Sequence, residues 1–500
     1  MSPVKTLPEI PDEDSSPISW APWLTHRRLT LFVIGWLVLF AVFTVFVSNP
    51  FQSETSASAT PDYARVMFLH GLLIGMVGLM ALLTCQVMHL RSKHVRLWIA
   101  GGVVVATILA AVGGIWDRSI PGSEVPMWTQ IFGFFALDEI LVLLMVGLVA
   151  EWRRGLPITR TLPFVVAFFA SAAMLLAAVM GHLAGWIMEF GNVPSFLGNF
   201  AHFAGFASLS DFAGALVGSH SHQMAVGGMA LTITLFTQQF GHGIRRQSAR
   251  VLANTGMVLI TIGTIVMAAM YLAGAFANWA PPTWFVSGPG GANGIASDDI
   301  ISGILVMGGG LLVIAGFLVG GTLLRRPARV AAAWAWILSF ATVVVAGFAI
   351  EMNEAYFGAG DAQAAGAAKD AVFTWLHQDI GLFLLPAIVL VMLASELLVD
   401  RKHLDWIGWS MVIGTTMIFV GGMVYVFVTP DLFGPGYIIT TLGLLVVGFT
   451  LLITLWWGAI GRRHHEQKRV SPPPPVEPEQ IALPPLPTGR ERIREEATVR

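Results

Sequence analysis

Residues 211–240 read DFAGALVGSHSHQMAVGGMALTITLFTQQF. After its first third the stretch becomes almost wholly apolar, as a helix crossing a bilayer core must be. Two histidines, His220 and His222, stand where that run begins. Ionisable side chains inside membrane segments are rare and face the bundle interior rather than lipid. Each helical residue turns about 100°, so side chains two apart point about 200° away from each other. A helix of this kind offers one imidazole to each of two neighbours, as in a protein that holds two cofactors or bridges two walls of one cavity. The plainer alternative is a polar pair capping the helix at the water interface.

The rest of the chain has the same character. Of its 500 residues 55% are hydrophobic and only 12% charged, against about 25% charged in soluble domains. Mean hydropathy is +0.72. The chain is therefore expected to be an all-α polytopic membrane protein in contact with lipid. A net charge of -2 gives no ground for nucleic-acid binding. The single cysteine, Cys85, excludes an internal disulfide and the Cys-x-x-Cys-His attachment of c-type haem.

Twelve apolar windows follow one another, near 30–48, 64–88, 96–115, 128–150, 160–187, 219–240, 250–275, 299–323, 329–350, 377–398, 405–428 and 436–459. One set of connections carries Arg91 and Lys93, Arg153 and Arg154, Arg245 and Arg246, Arg325 and Arg326, then Arg401 and Lys402. The alternate connections are nearly free of positive charge, Arg118 and Lys369 aside. His26-Arg27-Arg28 precedes the first window and Arg462-Arg463 follows the last. Positive charge stays inside, so both termini are expected in the cytoplasm, with the protein in a bacterial inner membrane. Residues 1–28 read as a disordered acidic tail rather than a cleavable signal peptide, 29–460 as the membrane domain, and 461–500 as a proline-rich cytoplasmic tail.

The windows group as three pseudo-repeated sets of four. The first member of each ends VFVSNPF, GHLAGWIMEFG and FAIEMNEAYFG; the second begins FLHGLLIGMVG, SHSHQMAVGGM and WLHQDIGLFLL. In this register His70, His222 and His377 are equivalent, and His220 is extra. The connection before the sixth window, NVPSFLGNFAHFAGFASLSDFAGALVG, lacks Lys and Arg and reads as a short helix or lid folded over the outer face.

Positive-inside topology gathers His70, His182, His202, His220, His222 and His377 at the outer side, where they form a candidate cofactor and metal constellation. Glycines beside His70 and His222 suit close approach around a macrocycle, or ordinary helix packing. Glu189 lies seven residues after His182, on nearly the same helical face. Glu351, Glu354 and Asp379 lie near the outer ends of the ninth and tenth windows. All four are candidates to orient a histidine or contact a metal. Asp138 and Glu139 fall well inside the fourth window, where two carboxylates are costly without partners, and are candidates for proton relay. Glu396 is expected to snorkel toward the cytoplasm.

The His-x-His pair, FLHGLLIGMVG and the three sets of four resemble the large subunit of the haem-copper oxidase superfamily. SHSHQM is also similar to the His-x-His of NnrS-type haem-and-copper membrane proteins. The resemblance implies b-type haem, one or two groups, with copper as a further candidate. It implies His70, His222 and His377 as principal axial ligands and His220 with His182 at a second haem or a copper. Departures accompany it: the superfamily's His-x-His lies on helix 10, whereas here that position carries only His377. The seventh window, VLANTGMVLITIGTIVMAAMYLAGAF, has no histidine where an adjacent copper-binding pair is expected. The implied activity is that of a membrane oxidoreductase, of terminal oxidase or nitric oxide reductase type. It would pass electrons from quinol or an outer-side cytochrome to a small gas, with room for further membrane subunits. Two other classes fit the same residues: a twelve-helix non-redox transporter with an outer histidine site, and a redox-inactive haem carrier or sensor subunit.

Overall fold

The computed structural model describes residues 26–46, 63–119, 124–155, 161–190, 195–241, 244–279, 283–284, 295–296, 301–357, 373, 375–428 and 434–470, some of them by backbone alone. These residues are helical apart from a two-residue antiparallel ladder, Thr283–Trp284 against Ile295–Ala296. In chain order come α1 (His26–Phe46), α2 (Tyr63–Val87), α3 (Lys93–Ser119), α4 (Glu124–Arg153) and α5 (Leu162–Phe190). A short α6 (Ser195–Phe203) precedes α7 (Leu209–Phe240) and α8 (Gln247–Ala277). A π-helical turn, Ser302–Met307, leads into α9 (Gly308–Val319), followed by α10 (Pro327–Phe357). A second π-helical segment, Trp375–Leu384, runs into α11 (Leu385–Leu398), then α12 (Arg401–Phe427) and α13 (Pro435–Val470). Residues up to Ala459 form one unit. From Ile460 the chain forms a second, described only as helical backbone ending at Val470.

Among the described residues eight helices are long and apolar enough to cross a membrane: α3, α4, α5, α8, α10, the second π segment with α11, α12 and α13. Their outward faces carry Phe132, Val146, Ile262, Ile413 and Phe449, all exposed, an apolar surface suited to the membrane interior. Trp98, Trp152, Trp406, Trp409 and Trp456 are exposed near the arginine-bearing helix ends, as aromatic side chains at a membrane-water boundary are. The protein is an integral membrane protein of the helical class.

The helix that begins with the opening stretch is not among those eight. α7 carries His220, His222, Gln223, Thr232, Thr234, Thr237 and Gln238, which lower its apolarity. It can afford them because other helices, not lipid, surround it, and most of its length is buried. Its threonines donate to their own carbonyls four residues back at 2.6–2.8 Å. The other central element is the second π segment with α11, 78% of whose window is buried against 39–50% for the other spans.

Small residues set the helix spacing. Between α8 and α9 the approach is reciprocal: a methyl group on Gly309 would lie 2.8 Å from the carbonyl oxygen of Gly256, and one on Gly256 would strike the carbonyl of Gly309. Gly75, Gly78 and Gly227 likewise admit Trp36, Val103 and Met174, so the glycines near His70 and His222 serve helix packing.

At the arginine end, Glu396 does not snorkel. Its side chain is 6% exposed and accepts from Arg326 (3.3 Å) and Arg329 (3.4 Å), tying α11 to the start of α10. Burial is tolerated because both carboxylate oxygens are paired. At the opposite end the arginine-free connection does contain a helix. α6 buries Leu197 and Ala201, the latter in a small apolar cluster with Met180, Phe206, Phe212 and Ala275. The start of α7 is capped by Ser208, which accepts from the backbone N–H of Asp211 at 3.1 Å.

Candidate histidine site

The helices alternate in direction, and His70, His182, His220, His222 and His377 all fall toward the end opposite the arginines. Two of them meet: His70 of α2 and His220 of α7 have ring centroids 6.0 Å apart with planes inclined by only 8°. On the other side of α7, His222 stacks on Tyr271 of α8 at 5.9 Å. The 200° divergence of His220 and His222 thus sends each to a different neighbour. Among the described residues no group of three or more His, Cys, Asp or Glu side chains is assembled that could hold a metal ion.

Backbone carbonyls orient three of these rings. Nδ1–H of His220 donates to Ala177 of α5 at 2.7 Å, and that of His377 to Val343 of α10 at 2.9 Å. His222 donates to Gly218 within its own helix at 2.9 Å. A carbonyl can only accept, so the neutral imidazole in each case keeps its lone pair on Nε2, where a metal would bind.

His182 does not join His220. Its Nε2–H donates to Oδ2 of Asp138 at 2.6 Å, both side chains about one-fifth exposed, and its ring lies on Phe135 at 4.8 Å. Phe134 stands between it and the first pair, 5.1 Å from His70 and 6.3 Å from His182. The partner that His182 shows is Asp138 of α4. Asp138 and Glu139 also part company: Glu139 is exposed on the outer surface of α4. Asp379 is buried in the π segment, two residues from His377. His202 is exposed on α6. The side chains of Glu189, Glu351 and Glu354 lie outside the described residues.

His377 and His220 share a setting, since each donates to a carbonyl of the preceding long spanning helix, whereas His222 donates within its own helix.

Several participants gave no sequence signal. Phe134, Phe135 and Tyr271 look like ordinary apolar-face residues until their ring contacts are seen. Gln223, beside His222, is 1% exposed, and neither amide atom has a hydrogen-bond partner; Oδ1 of Asp138 is likewise buried without one. Buried polar groups are usually hydrogen-bonded, and these two are among the buried atoms able to take a further polar partner.

Fold and site together define a helical integral membrane protein with paired interior histidines at one end. No family model, curated protein or solved structure matches the chain.

Proposed function

We propose that the chain is a b-haem-binding membrane oxidoreductase. It would have twelve spans in three sets of four, with both termini in the cytoplasm and the histidine end outside. The carrying observation is the His70–His220 pair: near-parallel rings, 6.0 Å between centroids. Two imidazoles bound to one ion at about 2.0–2.1 Å each call for a separation of this order. His222 and His377 would hold a second haem on the other side of α7.

The donor chemistry fits. Nδ1–H donation leaves Nε2 of His220, His222 and His377 to coordinate. Pairs suit haem, which brings its own four nitrogens and needs one axial ligand from each side. They suit a protein-bound copper ion less well, since that calls for three or more protein ligands. Gln223 and Oδ1 of Asp138 add buried groups able to hydrogen-bond a polar substituent.

Bound haem supplies one-electron transfer. The residues do the rest: imidazoles fix orientation, Phe134 and Tyr271 exclude water, and the surrounding helices keep the local dielectric low. Held between imidazoles, such a haem would pass electrons from a quinol or cytochrome donor toward a small gas such as nitric oxide or oxygen. Protein purified from haem-replete cells should show a Soret band, a split alpha band on reduction and two haems per chain. His70→Ala and His220→Ala should each remove the same haem, and His222→Ala and His377→Ala the other. A colourless, haem-free wild type sinks the proposal. Cofactor-independent uptake into proteoliposomes would then favour the transporter.

A further inference from the structure

We infer that Gly181 and Gly347 are positioning residues: each opens a carbonyl socket on one helix that locks a histidine ring from a neighbouring element. What those imidazoles hold rests on the haem proposal above; the sockets themselves do not.

On α5 the ring of His220 donates to the carbonyl of Ala177, and the residue four further on is Gly181. On α10 the ring of His377 donates to Val343, and the residue four further on is Gly347. In an α-helix the carbonyl of residue i already accepts from the N–H of residue i+4. Its second lone pair remains able to accept once more. The side chain of residue i+4 leans back toward the helix N-terminus and covers that turn. A side chain there crowds a ring brought to that carbonyl; glycine leaves it room.

The fit is tight. A methyl group on Gly181 would lie 2.5 Å from Nδ1 and 2.7 Å from Cε1 of His220. On Gly347 it would lie 3.1 Å from both Nδ1 and Cε1 of His377. The same relation thus occurs twice, on two separate pairs of elements. His222 lacks it, because its acceptor is in its own helix. The two socketed rings are thus His220, which lies beside His70, and His377.

Wild type, Gly181→Ala, Gly347→Ala, His220→Ala and His377→Ala are purified full-length, and haem per chain is counted by titration with haem b. Gly181→Ala should weaken one haem by about tenfold or more, the one that His220→Ala removes, and leave the other. Gly347→Ala should weaken the haem that His377→Ala removes, by less, since its contact needs a smaller shift. Wild-type binding of both haems in Gly181→Ala overturns the inference, as does equal loss of both haems in either variant. If Gly181→Ala misfolds, the double variant Gly181→Ala/His220→Ala must recover the folded yield of His220→Ala; failure puts the clash elsewhere and overturns the inference. If wild type takes up no haem, the haem proposal falls and ¹⁵N-histidine solid-state NMR decides the sockets. Loss of one Nδ1–H imidazole signal in each glycine variant supports them, and unchanged spectra reject them.

Discussion

Asp138 and Glu139 are neighbours in α4 with opposite fates, because one residue's turn of about 100° separates a partner from the exterior. Asp138 faces α5 and receives Nε2–H of His182 at 2.6 Å; Glu139 is exposed. Charge-assisted bonds of this kind contribute about 1.5–3 kcal/mol, less where solvent or headgroups reach them. Asp138→Asn should lower stability in detergent by about 1–3 kcal/mol, while Glu139→Gln should change it little. A double-mutant cycle of Asp138→Asn with His182→Gln, followed by denaturant unfolding, should show coupling of about 1 kcal/mol. Additive costs would mean that the pair holds nothing together. Gly181 belongs to the same scale: its role is to be without a side chain, which no property of glycine in isolation reveals.

The π segment before α11 shows how one element aims a residue. Pro386 has no N–H to give, so the ladder is short of one donor where the π segment passes into α11, close to the carbonyl of Gly381. Ser339 of α10 supplies one, its Oγ–H donating to that carbonyl at 2.6 Å. The hydroxyl thereby ties the segment to the helix that also receives His377. Ser339→Ala should leave a buried carbonyl unsatisfied and cost about 1–3 kcal/mol, read as a fall in the thermal midpoint. In a Pro386→Ala background the backbone regains its N–H, and the same serine substitution should cost much less. Equal costs in both backgrounds would show that Ser339 acts in some other way.

For the whole molecule, two opposed ends summarise the design. One carries paired arginines, the buried Glu396 ion pairs and exposed tryptophans; the other carries the histidine pair and α6. Cys85 is the chain's one cysteine and is buried, so a Cys85→Ser background allows single reporters. With a membrane-impermeant maleimide, His202→Cys on α6 should react from outside intact cells. Lys402→Cys, exposed at the start of α12, should react only after permeabilisation. Labelling of both from one side would contradict the proposed orientation.

The helices and their membrane character were legible in the chain, because burial in lipid demands long apolar runs whatever the neighbours are. So was the divergence of His220 and His222, which follows from helix geometry alone. Pairing was not. That His182 meets Asp138 of another helix, that His220 meets His70, and that His377 shares its setting with His220 depend on which helices lie side by side. Gly181 and Gly347 were hidden for the same reason: a missing side chain matters only when another helix brings an imidazole to the space it leaves.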